Sequence, residues 1–161
     1  MNEPTTDTFS VRPIQVDDAG QVLTVQRAAF VQEALIYGTA DMPPLTQTLD
    51  ELKAELVDNL GLVAVEGSRI VGAVRARRGV DLLLVGRLVI APDLQGHGIG
   101  SRLLAAVEDR GRSSGCREAE LFTGSLSEAN LRLYESRGYR ETQRVDGDDG
   151  IQQVFMRKPL S

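Results

Sequence analysis

The stretch that decides the fold is Ala91–Leu104, APDLQGHGIGSRLL. It follows a long apolar run and carries glycine at positions 96, 98 and 100, where a helical pattern begins. Glycine inside a helix costs roughly 0.5–1 kcal/mol relative to alanine, so folding alone gives no reason for three of them at a helix start. A strand, a glycine turn and a helix N-terminus together make an anion site. The first helical amides have no partner within the helix, the helix dipole favours negative charge there, and glycine lets a phosphate approach the backbone. A tight strand-to-helix turn is the competing reading, and three glycines at alternate positions favour the phosphate. Neither common nucleotide motif fits: G-x-G-x-x-G needs glycine where Ser101 stands, and G-x-x-x-x-G-K-[ST] is absent.

Working outward, the run DLLLVGRLVIA reads as a strand buried on both faces. A helix after it, with Ile99, Leu103, Ala106 and Val107 inward, ends at Gly111 or Gly115. Upstream, FSVRPI (Phe9–Ile14) reads as a strand, and Asp17 or Asp18 can cap a helix to about Ile36, with Val22, Val25, Ala29 and Val31 near one face. YGTADMPPLTQ breaks the pattern at its two prolines. Thr48 and Glu51 have capping-box spacing for a second helix whose apolar positions are Leu49, Leu52, Leu56 and Leu60. LVAV and IVGAVRAR flank EGSR as a hairpin. Downstream come a strand CREAELFT, a helix SEANLRLYESRG with Ser127 as N-cap and Gly138 as stop, and a last hairpin of YRETQRV and IQQVFMRK around DGDDG. The order β-α-α-β-β-β-α-β-α-β-β predicts an α/β (α+β) fold. It has a mixed, mostly antiparallel central sheet, one parallel crossover and helices on both faces. One domain over residues 1–161, with a core of about 8–158, is expected.

Composition narrows the function. The net charge is −5 with no Lys/Arg run, which argues against a nucleic-acid partner. Cys116 is the sole cysteine and His97 the sole histidine, so neither an intrachain disulfide nor an ordinary zinc site can be assembled. MNEPTTDTFS is polar and acidic rather than a secretory leader, and the most apolar run is short and contains Arg87, so no membrane span is expected. A soluble, cytoplasmic protein follows, with no membrane partner.

Two segments carry a resemblance. LVIAPDLQGHGIGSRLL resembles the acyl-coenzyme A signature [QR]-x-x-G-x-[GA] of the GNAT superfamily of N-acetyltransferases, with Gln95, Gly98 and Gly100 filling it. SEANLRLYESRGYRE resembles the family's second signature, through Asn130, Leu133, Tyr134, Gly138 and Tyr139. The element order agrees from Phe9 to Arg157. The resemblance implies a GNAT-like fold and acetyl-CoA as donor to a small-molecule or peptide amine. It implies a pyrophosphate on the loop of Gln95, Gly96, His97, Gly98, Ile99, Gly100 and Ser101. It also implies a pantetheine arm paired like an extra strand along Leu88, Val89 and Ile90. Tyr134 then stands as the general acid for the leaving thiolate and as a coenzyme contact. Asn130 holds the pantetheine or a water, and the Val89 amide polarises the thioester carbonyl.

The general base stays open. Some relatives carry a carboxylate on the strand before the glycine loop, and LLLVGRLVI has none. Glu33, Asp81 and Glu120 are candidates, each with a salt-bridge or solvated role as the plainer reading, and a water chain is a further option. His97, in the phosphate loop, reads as exposed, and Cys116 as a small buried residue. The irregular stretch from Ala34 to Thr46 is expected on the acceptor side. Arg75, Arg77 and Arg78 read as a solvated strand end that could meet an acceptor carboxylate. A non-catalytic acyl-CoA sensor is the alternative function, and a homodimer is left open.

Overall fold

The computed structural model describes residues 9–147 and 150–160. The opening MNEPTTDT, Asp148 and Asp149 of the expected DGDDG turn, and Ser161 lie outside the described residues. Seven strands run in chain order: β1 (Ser10–Pro13), β2 (Leu60–Glu66), β3 (Arg69–Arg78), β4 (Leu82–Ile90), β5 (Glu118–Gly124), β6 (Arg140–Asp146) and β7 (Gln152–Pro159). The helices are α1 (Ala19–Tyr37), α2 (Pro43–Thr46), α3 (Leu49–Asp58), α4 (Ile99–Ser113) and α5 (Glu128–Ser136). The sheet order is β1-β2-β3-β4-β5-β7-β6. Among the described residues only β4 and β5 pair in parallel, and α4 makes the crossover between them. The mixed, mostly antiparallel sheet expected from the sequence is therefore present.

The helices cover both faces. Val22 and Leu23 of α1 and Leu52 of α3 bury against Val63, Ala73 and Val89 on one side. Leu103, Leu104 and Val107 of α4, with Tyr134 of α5, bury against Val71, Val74, Leu83, Leu121 and Met156 on the other. The Thr48–Glu51 capping box forms in both directions, at 3.2 and 2.8 Å. Among the described residues no helix is long and apolar enough to cross a membrane.

Several expectations are corrected. Val31 is exposed because nine residues from Val22 put it on the opposite side of a 3.6-residue helix. Leu60 opens β2 instead of closing α3, and Leu49 is exposed at the first turn. The first helix ends at Tyr37 with left-handed Gly38 rather than at the prolines, and Pro43 and Pro44 instead start α2, whose first position tolerates a missing N–H. Gly115, at φ +90°, follows the end of α4, whereas Gly111 lies inside it and packs on Leu83. Arg75 is not at a solvated edge. It is buried under α1 and α3, ion-paired with Glu55 and bonded to Gln26. Arg77 and Arg78 are exposed. Finally, β4 is not buried on both faces: Gly86 is exposed, and Leu88 and Ile90 are half-buried along an open groove.

Tyr139, part of the second signature, is a core residue. Its hydroxyl donates to Glu108 Oε2 at 2.9 Å, and Lys158 and Arg137 pair with the other carboxylate oxygen at 2.8 and 3.2 Å. Glu108 is 1% exposed. Burial and the Glu108 charge raise the Tyr139 phenol above its usual range, so it remains a donor. Glu108→Ala should lower the unfolding free energy by about 3 kcal/mol, the low end for removing one partner of a buried ion pair, because Lys158 and Arg137 can turn to solvent. Urea unfolding measures this, and a loss below ~1 kcal/mol would show the cluster to be marginal to stability.

Candidate active site

The site begins where β4 and β5 part. They pair only at Leu82–Leu84 against Glu118–Glu120, although β4 continues to Ile90 and β5 to Gly124. A bulge in β4 accompanies the separation. Arg75 faces Gly86 and Ala73 faces Val89, so three steps along β4 match two along β3. Arg87 takes up the extra residue at φ +51°, a left-handed conformation uncommon for arginine.

Beyond the bulge the alternation is set by Ala91, whose amide donates to Val71 O at 2.8 Å on β3. Backbone groups on a strand alternate sides, so Val89 presents its amide to β3, while Leu88 and Ile90 present theirs to the gap. The Val89 amide, expected to polarise a carbonyl, is thus committed to the sheet, and the free amides are those of its two neighbours.

The gap runs into the glycine loop. Gly96 and Gly98 have φ of +85° and +82°, which only glycine adopts without strain. Gly98 is the N-cap of α4, and its carbonyl accepts the first helical bond, from Arg102 N at 3.1 Å. The amides of Ile99, Gly100 and Ser101 therefore have no helical acceptor. Gly100 serves packing: a β-carbon there would lie 3.1 Å from Leu133 of α5. The glycines at 96 and 98 shape the turn, and the one at 100 lets α5 close on α4.

A cavity of about 420 Å³ joins these parts. Leu88, Val89 and Ile90 form one wall, and Gln95, Gly96, Gly98, Ile99, Gly100 and Ser101 form the loop end. Asn130 lines it from α5 and Glu33 from α1. His97 is exposed and does not line it. Tyr134 is not among the residues that line it; it is 6% exposed, and its hydroxyl makes no hydrogen bond to any described residue. Burial first and the charge of Glu33 second raise its phenol above the usual range, so it carries its proton at neutral pH.

Of the three candidate carboxylates, only Glu33 reaches this cavity. Glu120 is ion-paired with Arg157 at 2.9 Å, and Asp81 lines a separate polar cavity with Asp58, Arg77 and Arg78. Ser127 occupies the N-cap position of α5 without capping it. Its hydroxyl lies 2.9 Å from Glu33 Oε1 and 2.7 Å from the Tyr37 hydroxyl. Sequence spacing suggested the cap, and nothing local in the sequence signalled contacts with residues ninety positions away.

This geometry can be set beside known proteins. The family model described as "Acetyltransferase (GNAT) domain" matches residues 39–160. The chain belongs to the GNAT acetyltransferase family. It is 32% identical over 153 residues to an aminoglycoside N(6′)-acetyltransferase type 1 of Stenotrophomonas maltophilia, covering 87% of this chain and 92% of that one. It is 25% identical over 133 residues to the UPF0157 protein YqkA of Bacillus subtilis, where the match covers 83% of this chain and 38% of the relative. The chain thus spans well under half the length of that relative. The crystal structure of a PaiA N-acetyltransferase from Thermoplasma acidophilum, in complex with coenzyme A, superposes with a TM-score of 0.81 at 19% identity, covering 94% of this chain and 98% of that one.

One substitution tests the loop directly. Gly98→Glu adds a side chain at a left-handed position and a negative charge beside the free amides. Titrated with coenzyme A, it should bind at least about 100-fold more weakly than the parent, or roughly 2.7 kcal/mol. Equal affinities would remove the loop as a phosphate site.

Proposed function

We propose that this chain is an N-acetyltransferase that moves an acetyl group directly from acetyl-CoA to a primary amine. One observation carries the reading: an unpaired β4 edge and the free amides of a helix N-terminus line the same cavity. A pantetheine arm carries amides that complete such an edge, and a pyrophosphate suits such a helix start. In this reading Leu88, Val89, Ile90, the loop Gln95–Ser101, Asn130 and Tyr134 hold the donor. His97 contributes backbone only.

Transfer needs a polarised thioester carbonyl and a proton for the departing sulfur. The Leu88 and Ile90 amides supply the donors for the carbonyl. Tyr134 is the proton donor: its hydroxyl has no described protein partner, and its raised pKa keeps it protonated. The amine enters from the side of Ala34–Thr46, where α1 ends at Gly38 and two prolines open α2. The aminoglycoside acetyltransferase relative supports an amine acceptor, small or peptide-borne. Acetyl-CoA as donor supports a cytoplasmic location.

Acetyl-CoA should raise the melting temperature, and thiol release should appear with at least one member of a panel of alkylamines, aminoglycosides and peptide amines. Binding with no release on any amine would instead support an acyl-CoA sensor. Tyr134→Phe separates the two further. Its single-turnover acetyl-transfer rate should fall roughly 10²–10⁴-fold with coenzyme affinity retained. An unchanged chemical rate would remove Tyr134 as the acid.

A further inference from the structure

We infer that Glu33 is the carboxylate that receives the acceptor's ammonium group and takes its proton, with Ser127 and Asn130 as its positioning residues. The inference rests on the acetyl-transfer reading and adds the residue that β4 fails to provide.

The charge pattern comes first. Among the described residues lining the cavity, Glu33 and Glu128 are the only charged side chains, and Glu128 pairs at 4.0 Å with Arg132, which does not line it. Phosphates are repelled by such carboxylates and drawn to the loop amides, while an ammonium group is drawn to the carboxylates. The cavity thus offers both kinds of partner.

Orientation comes second. Glu33 Oε1 accepts hydrogen bonds from Ser127 Oγ at 2.9 Å and Asn130 Nδ2 at 3.1 Å. Oε2 accepts none from any described residue. The assembly is held from three elements. Asn130 also donates to Thr123 Oγ1 on β5 at 3.3 Å, and the Tyr37 hydroxyl accepts from Leu126 N at 3.2 Å. Tyr37 sits so close to β5 that a β-carbon on Gly124 would lie 2.0 Å from its hydroxyl. A serine in the N-cap position that leaves its own helix uncapped to hold a carboxylate, and a glycine that admits the tyrosine bracing that serine, are unexplained by folding alone. The charge of Glu33 also acts on the Tyr134 phenol and raises it.

The step balances. The ammonium gives one proton to Glu33 Oε2, and the freed nitrogen pair forms the C–N bond to the thioester carbon. The C–S bond breaks with its pair on sulfur, which takes a proton from Tyr134. The surplus proton on the new amide nitrogen returns through water to Tyr134, and Glu33 releases its own to solvent. Amine cation and acetyl thioester become amide, thiol and one free proton.

Glu33→Gln tests this, because glutamine keeps the Oε1 acceptor and the volume while removing the charge. The titratable groups facing Glu33 are Tyr37 on its own helix and Tyr134 and Glu128 on α5. The test compares the best alkylamine acceptor with its alkoxyamine analogue, which is already neutral at pH 7 and needs no base. In Glu33→Gln, kcat/KM for the alkylamine should fall roughly 10²–10⁴-fold. The alkoxyamine should lose less than about tenfold, and acetyl-CoA affinity should stay within about threefold. Equal losses on both acceptors, or no loss on either, would overturn the role of Glu33 while leaving acetyl transfer intact. A parent that binds acetyl-CoA but acetylates neither amine would overturn the transfer reading, and this inference with it.

Discussion

An unpaired strand edge in the middle of a seven-stranded sheet is the constraint on which the rest depends. Buried backbone N–H and C=O groups are almost always paired, and leaving them without partners is costly. Here β4 and β5 are sheet neighbours yet pair over three residues only. The bulge at Arg87 turns the second half of β4 away, and the edge it exposes opens onto a cavity instead of a neighbouring strand. Such an edge is tolerated because solvent or a ligand with peptide-like groups can complete it. The open edge leads through eight residues, including a 3-10 turn at Pro92–Leu94, to the N-terminus of α4. One irregularity therefore places the strand edge and the anion site in line.

Much of this was legible in the sequence, and the reasons are physical. Hydrophobic periodicity located most elements, because apolar faces at the spacing of 2 or 3.6 have one way to be buried. The glycines at 96 and 98 announced the loop, since left-handed backbone is rarely adopted by anything else. The two signature segments gave the family. The bulge was not legible. VGRL looks like any part of an apolar strand, and only pairing with β3 shows that Arg87 carries an extra residue and that Val89 turns its amide inward. The buried place of Arg75 was hidden for the same reason. Its neutralising partner, Glu55, sits on a helix twenty positions earlier, and no local pattern joins the two.

The polar clusters divide by what they leave unsatisfied. Around Glu108 both oxygens have partners, and Tyr139, Lys158 and Arg137 close the group on all sides. That cluster ties α4 to β7 and to the end of α5. Around Glu33 one oxygen is held and the other is bare, and the phenol of Tyr134 nearby has no described partner. A closed cluster stabilises a fold, whereas an open one beside a cavity is poised to meet a ligand. The second signature segment contributes to both: Tyr139 to the closed cluster, Asn130 and Tyr134 to the open one. Its residues thus serve packing at one end and chemistry at the other.

Residue-resolved amide hydrogen exchange, with and without acetyl-CoA, tests the open edge most directly. If the coenzyme completes the sheet between β4 and β5, the Leu88 and Ile90 amides should become strongly protected, together with Ile99, Gly100 and Ser101 at the start of α4. Val89, already paired with β3, should change little. Unaltered exchange at Leu88 and Ile90 under saturating acetyl-CoA would contradict the assignment of this gap as the coenzyme groove.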